Sequence, residues 1–458
     1  MAAPRVAIVG AGAAGLVCAR ELLAAGMRVV VFEQRSHPGG VWRYSSHPTM
    51  YRGLRTNLPK EVMSYIGHEY DAALPSFVGH AEVADYLEAY AESLGTQIQY
   101  SSTVIRARVD EGEGGRGGLS PLQQRLGRRF LPWSVTVAET VTRAERTETF
   151  DALVLCNGHF AVPFSPSYPG TSGFPGRILH SVEYDDVSEF AGQRVLVVGT
   201  ASSGTDIAWE LTAVAAEVVV SQRSLSEAEA AAMPAEPPCD HDPHLPLCLL
   251  QAEGVCVGRA EGRAVLAHRP AIEAFHSDGT VEFAGGGRLQ LDAVIFCTGF
   301  QYDIPFVQIP DFVPPVTRPD EAGVEGPTEV GDEPGALVGG AGRRVNWLWR
   351  HFLHAFIPSL CCLGLTYGII PCQLFQCQAA WLGRMWAGAL PLPLAEEGEL
   401  AAAVRQDYGE VAASGGWPRH AHRMGGRQWD YNRMLAREAL AGVSLHRLFT
   451  FRRAGLVN

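Results

Sequence analysis

The sequence predicts an α/β fold built from two Rossmann-like domains, and three observations carry that expectation. Two glycine-rich turns, Gly10–Gly15 and Gly199–Gly204, each follow a short apolar run and lead into a helix-forming stretch. Two later segments, Asp151-Ala-Leu-Val-Leu-Cys-Asn-Gly158 and Asp292-Ala-Val-Ile-Phe-Cys-Thr-Gly299, repeat one pattern of acid, apolar strand and glycine. The 458 residues, 47% hydrophobic, can fill two or three cores.

In the first unit, Val6–Val9 reads as a central parallel strand that runs into Gly10, Ala11, Gly12, Ala13, Ala14 and Gly15. Small residues there let the backbone approach a pyrophosphate held on helix N-terminal amides. Leu16 to Ala25 forms the helix and Gly26 ends it. A second strand, Arg28 to Phe32, finishes in Glu33. A carboxylate there accepts from a ribose 2′-hydroxyl and repels a 2′-phosphate, so this turn selects FAD or NAD.

The second unit repeats the scheme. Arg194 to Val198 is the strand, and Gly199, Thr200, Ala201, Ser202, Ser203 and Gly204 form the turn. A helix is expected to open at Thr205 and Asp206. The methyl of Ala201 reduces the closeness of approach. The next strand, Glu217 to Val220, ends in Ser221-Gln-Arg223-Ser224 with no acid. Arg223 stands where it can form a bidentate pair with a 2′-phosphate, which selects NADPH.

Just upstream of the second turn, Phe174, Gly176, His180 and Tyr184 have the spacing F-x-G-x-x-x-H-x-x-x-Y. Gly39-Gly40-Val41-Trp42 follows Glu33, and Leu54-Arg-Thr56-Asn57-Leu58-Pro-Lys60-Glu61 comes next. On these residues the chain resembles the S- and N-oxygenating flavin-containing monooxygenases, nearest in pattern to the plant-type glucosinolate S-oxygenase-like branch. The resemblance implies an FAD-binding domain interrupted by an inserted NADPH domain. Its divisions fall at 1–162 (FAD, first part), 163–293 (NADPH) and 294–458 (FAD, second part with C-terminal helices). It also implies that Gly40, Val41, Trp42, Thr56, Asn57, Leu58, Thr298 and Gly299 lie against the FAD, with Asn57 over the flavin C4a edge. NADPH then reduces the flavin, O2 adds at C4a, and a thioether sulfur or amine nitrogen attacks the outer oxygen. An amide at Asn57 can donate to the peroxide without acidifying it. No general base is needed, and the cage excludes water. His180 and Tyr184 are read as interdomain packing and hinge residues.

Other features narrow the classes. A net charge of −12 argues against nucleic acid. No basic segment with an apolar h-region precedes the first strand, and Phe352–Ile370 is broken by His354 and Pro358. A cytoplasmic protein without a membrane span is expected. The ten cysteines read as reduced and structural. Ala81–Leu94 is an amphipathic helix, Gln97–Val109 and Trp133–Ala138 are strands, and 110–129 and 310–344 are loops. Cys239, Asp240, His241, His244 and Cys248 are metal-ligand types without zinc-site spacing, so no metal is expected. From Leu348 to Leu390 the chain parallels the family's closing strand, glycine turn and helix, with Gln376 where an acid is usual.

Three rivals remain. A Baeyer–Villiger monooxygenase shows tryptophan followed by proline or aspartate after the histidine; here Tyr184 leans away from it, only partly because Asp185 follows, and Leu54-Arg-Thr56-Asn57 favours heteroatom oxygenation. A disulfide reductase needs a cysteine pair near the first turn, whereas Cys372 and Cys377 lie in the last helix. A non-enzymatic redox sensor would bind FAD without turnover. Substrate and oligomeric state leave no readable motif.

Overall fold

Uninterrupted apolar runs rich in valine and isoleucine form strands buried on both faces, as parallel strands sandwiched between helices must be. Arg5–Val9 and Arg194–Val198 are such strands, each with four buried residues after the leading arginine. The structure is a computed structural model and describes residues 2–44, 50–110, 119–224, 226, 264, 266–316, 334–390, 398–416 and 420–439.

Two mainly parallel sheets organise it. The first orders its strands as Leu348–Trp349, Leu353–His354, Leu360–Cys362, Ala152–Leu155, Arg5–Val9, Arg28–Phe32 and Ile98–Gln99. The second runs Leu266–Arg269, Glu217–Ser221, Arg194–Val198, Ala293–Phe296 and Arg177–His180, parallel throughout. In each, the repeated acid-led segment lies beside the strand that feeds the glycine turn. The acid closes the pair in the same way both times. Asp151 Oδ2 accepts from the Arg5 amide at 2.6 Å, and Asp292 Oδ2 accepts from the Arg194 amide at 2.8 Å.

The chain crosses between the sheets twice, and the crossings are neighbours. Val162–Pro163 pairs antiparallel with Phe300–Gln301. A four-stranded sheet (Val307–Gln308, Ser102–Val109, Trp133–Glu139, Glu145–Phe150) covers one end. The apolar run 352–370 supplies two strands of the first sheet, so it is core. Among the described residues no helix is long and apolar enough to cross a membrane.

Several boundaries differ from the sequence expectation. The second-turn helix starts at Ser202, ahead of Thr205, because Ala201 already takes the extended N-cap conformation. The strand expected over 97–109 breaks at Ser101, whose φ is 52°. Within the expected loop 110–129, residues Pro121–Leu126 are helical. Ser120 and Gln123 form a reciprocal cap, Pro121 starts the helix, and Leu122 is buried. Residues 111–118 of that stretch lie outside the described residues, as does the Cys239 to Cys248 segment. No group of three metal-ligating side chains occurs among the described residues.

The long helix Pro371–Trp386 is buried along most of its length. Cys372 and Cys377 sit on it as free thiols, each pushed up to about 12 by burial, so neither is a thiolate at neutral pH. Gln376, where an acid was the usual residue, donates to Glu21 Oε1 and accepts from the Ile66 amide, both at 2.9 Å. An acid there would face Glu21 directly. Lys60 is buried and donates to the carbonyls of Asp71, Ala72 and Leu74, a purely architectural use.

Candidate functional site

The first glycine turn is shaped by contacts that exclude side chains. Gly10 has φ +101°, and a Cβ on it would lie 2.5 Å from the Cys156 carbonyl oxygen. A Cβ on Gly15 would lie 1.9 Å from the Gly10 carbonyl oxygen, where the helix Ala13–Ala24 meets the turn. Glu33 is buried. Its Oε2 accepts from the Ala11 amide at 2.8 Å and its Oε1 from the Arg35 amide at 2.9 Å. Each oxygen keeps a lone pair for a ribose hydroxyl.

Gly39 and Gly40 close over this turn. The Gly39 amide donates to the Ala11 carbonyl at 3.0 Å, and a Cβ on Gly40 would lie 3.0 Å from Gly12 Cα. Val41 and Trp42 continue on a single 3-10 turn, half-buried. On the far side, a Cβ on Gly364 would lie 2.9 Å from the Ala14 methyl. Near this loop, the buried Thr366 hydroxyl and Gln373 side-chain carbonyl have no partner. His159 donates Nδ1–H to the Gly364 carbonyl at 3.0 Å, which fixes Nε2 as a bare acceptor, also buried and unpartnered. Backbone stripped of side chains, with orphaned polar atoms beside it, fits a dinucleotide that brings its own donors and acceptors. Sequence reading missed these three residues. The His after Gly158 and the Thr after the Gly364 turn were the available signals.

The second turn duplicates the first. Gly199 has φ +110°, and a Cβ on it would lie 2.6 Å from the Cys297 carbonyl oxygen; on Gly204 it would lie 2.1 Å from the Gly199 carbonyl oxygen. Thr200, Ala201, Ser202 and Ser203 are exposed, and the helix Ser202–Leu211 opens without a side-chain cap, leaving its amides free for an anion. Thr205 Oγ1 donates back to the Thr200 carbonyl at 3.4 Å. Arg223 and Ser224 are exposed just past the strand Glu217–Ser221; burial raises the pKa of the Tyr168 hydroxyl, and Arg223 is near enough to oppose that rise in part.

Four residues of the expected cofactor sets have partners within the protein. The Thr56 hydroxyl accepts from the Val78 amide at 3.2 Å, which ties it to its own backbone frame and leaves its O–H to donate. Thr298 donates to the Phe164 carbonyl, and the Gly299 carbonyl receives His180 Nε2–H at 3.0 Å. Both follow Cys297, which abuts Gly199, so they stand beside the second turn; Cys156 and Asn157 are the residues beside the first. The reason is topological: strand Ala293–Phe296 belongs to the second sheet. Asp206 turns away from the turn toward Tyr51, and burial plus the neighbouring Glu210 push its carboxyl up to about 6.

The two units meet at 51–58. Asn57 Nδ2 donates to Ser202 Oγ at 3.3 Å, joining this segment to the first residue of the second-turn helix. Leu58 packs on the first core and Leu54 on the second. Arg52 pairs with Asp186 at 2.8 Å and Asp185 at 3.3 Å, and Tyr44 donates to Asp185 at 2.8 Å. Asp185 is thereby spent on the seam. His180 is held neutral by burial and bonded at both nitrogens, so it is a packing residue. A cavity of about 410 Å³ lined by Glu410, His420, Arg423 and Arg427 lies near the other end of the described chain, apart from both turns.

Known proteins match this arrangement. Residues 3–230 match the family model of flavin-binding monooxygenase-like proteins. The flavin-containing monooxygenase FMO GS-OX-like 4 of Arabidopsis thaliana is 30% identical over 94% of this chain and 86% of its own. FMO GS-OX-like 3 of the same plant is 28% identical over 94% of this chain and 86% of its own. Among solved structures, S-allyl-L-cysteine S-oxygenase from Allium sativum superposes with a TM-score of 0.76 at 27% identity, covering 98% of this chain and 92% of that one.

Proposed function

Since the chain belongs to the flavin-containing monooxygenase family, oxidoreductases that work with FAD and NADPH, we propose that it uses NADPH and O2 to oxygenate the sulfur of a small thioether. Sulfur is preferred over amine nitrogen because the solved relative is named for S-oxygenation. The observation that carries the reading is the Asn57–Ser202 bond, which puts the one polar side chain expected at the flavin edge against the start of the second-turn helix.

FAD would be held by Gly10, Gly12, Ala13, Ala14, Gly15, Glu33 and Gly40, with Val41, Trp42 and Leu58 packing beside it. NADPH would be held by Gly199 to Gly204 and by Thr205, with Arg223 and Ser224 at its 2′-phosphate. The inserted unit then begins at 163 and is best ended after Gly299, because Ala293–Phe296 is a strand of the second sheet and Phe300–Gln301 pairs with Val162–Pro163.

Bound FAD would supply the electron transfer from NADPH and the activation of O2. The chain's own part is positioning and exclusion. Glu33 fixes the adenosine ribose, Arg223 selects the phosphorylated reductant, and Asn57 donates a hydrogen bond from an amide that cannot itself surrender a proton at neutral pH. The test is to give the FAD-loaded protein NADPH, O2 and, separately, a thioether, a tertiary amine and a ketone. Sulfoxide is the expected main product. Lactone or ester from the ketone alone, or NADPH oxidation with none of the three changed, would overturn the reading.

A further inference from the structure

The helix Ser202–Leu211 carries two acids, Asp206 and Glu210, on one stripe, and both face the 51–54 segment. Asp206 faces Tyr51, and Glu210 faces Gly53. A Cβ on Gly53 would lie 2.4 Å from Glu210 Oε1, so the absent side chain at 53 makes the notch that the carboxyl occupies. Gly53 has no left-handed backbone that would otherwise require glycine. The other carboxyl oxygen, Oε2, accepts from the Tyr184 hydroxyl at 2.7 Å. Tyr184 is itself buried and packs edge-on to Tyr51, with ring centroids 5.5 Å apart.

The last aromatic of the F-x-G-x-x-x-H-x-x-x-Y spacing therefore acts on Glu210, and Glu210 acts on the backbone four residues before Asn57. Farther along the same helix, Ser202 holds Asn57 directly. One rigid helix thus fixes the 51–57 segment at two points, about two turns apart.

We propose that Glu210, pinned by Tyr184 in the Gly53 notch, is a positioning residue that sets Asn57 for oxygen transfer by tying its segment to the NADPH-side helix. This rests on the reading of Asn57 given above. Movement of that helix is passed to Asn57, and a free carboxyl at 210 leaves Asn57 tethered at one end.

The test uses the full-length protein loaded with FAD, in the variants Gly53→Ala, Glu210→Ala, Glu210→Gln, Tyr184→Phe and the double Gly53→Ala/Glu210→Ala. The readouts are sulfoxide formed per NADPH oxidised, bound FAD and KM for NADPH. The clash at Gly53 is with the tip of a flexible side chain, so Gly53→Ala displaces the carboxyl without forbidding the fold. Gly53→Ala and Glu210→Ala should each lower the product ratio roughly tenfold, with FAD content unchanged and KM within about twofold. The double variant should be no worse than Glu210→Ala alone. Glu210→Gln, whose amide oxygen still accepts from Tyr184, should keep most of the ratio, and Tyr184→Phe should lose part of it.

Additive losses in the double variant, or a Glu210→Ala ratio within twofold of the unaltered protein while Asn57→Ser uncouples, would overturn the proposal alone. A fall in FAD content that accounts for the whole effect would also overturn it, as a plain folding role. If Asn57→Ser leaves the ratio intact, the parent reading fails and the proposal with it.

Discussion

Each glycine turn contains one position where a single methyl group separates the two nucleotide assignments. At Gly15 the added carbon would sit 1.9 Å from the Gly10 carbonyl oxygen, and at Gly204 it would sit 2.1 Å from the Gly199 carbonyl oxygen. The obstacle is backbone in both cases, so no rotamer relieves it. Restoring a contact of about 3.2 Å requires the helix to withdraw from its turn by roughly 1 Å, an overpacking that costs about 3 kcal/mol. If that cost falls on the bound state, it weakens the nucleotide about 150-fold. Gly15→Ala is therefore expected to purify without flavin colour. Gly204→Ala is expected to keep its FAD and to need about 100-fold more NADPH for half-maximal flavin reduction. Both are measured by absorbance, the first as FAD titrated back into protein, the second as anaerobic bleaching at rising NADPH. Loss of FAD in Gly204→Ala with NADPH affinity intact would reverse the assignment. Normal binding of both nucleotides in both variants would refute the cradle geometry.

The other predictions address charge and coupling. Asn57→Ser should retain FAD and oxidise NADPH while releasing hydrogen peroxide in place of sulfoxide, measured by peroxidase-coupled assay; normal sulfoxide yield would remove Asn57 from the site. Arg223→Ala should raise KM for NADPH by about 30- to 150-fold, the 2 to 3 kcal/mol of a charge-assisted pair, and leave KM for NADH nearly unchanged. Asp206 titrates near 6 in the fold against 3.8 for the free side chain, so its ionisation opposes folding. The penalty is absent below about pH 4 and complete above about pH 6. For a side chain partly open to solvent it amounts to about 1–2 kcal/mol. Asp206→Asn should stabilise the protein against urea by that amount at pH 8 and not at pH 4, and an equal gain at both would show that ionisation is not the cause.

Local rules made the two strand, turn and helix units legible. Glycines at fixed offsets, a β-branched run and a terminal Glu33 or Arg223 are properties of a few adjacent residues, and the strands Arg28–Phe32 and Arg194–Val198 fall where expected. The repeat of Asp151 at Asp292 was also visible, and the structure gives it a reason in the matched bonds to Arg5 and Arg194. What the sequence could not show was which side chains find partners elsewhere in the chain. A threonine pattern cannot reveal that Thr56 accepts from the Val78 amide or that Thr298 donates to the Phe164 carbonyl, and an acid after a glycine turn does not announce that it faces Tyr51. The short helix Pro121–Leu126 was a different kind of miss: Ser120, Pro121 and Gln123 spell a helix start within the sequence itself.

Because Val162–Pro163 and Phe300–Gln301 run side by side, the inserted unit leaves its host through a doorway two strands wide. Excision would leave a gap that a turn of a few residues could bridge, and the corresponding piece of a relative could be grafted through the same doorway. On the function proposed above, reductant preference would travel with that cassette, provided a graft keeps the partners that Arg52, Gly53 and Asn57 find on the inserted unit.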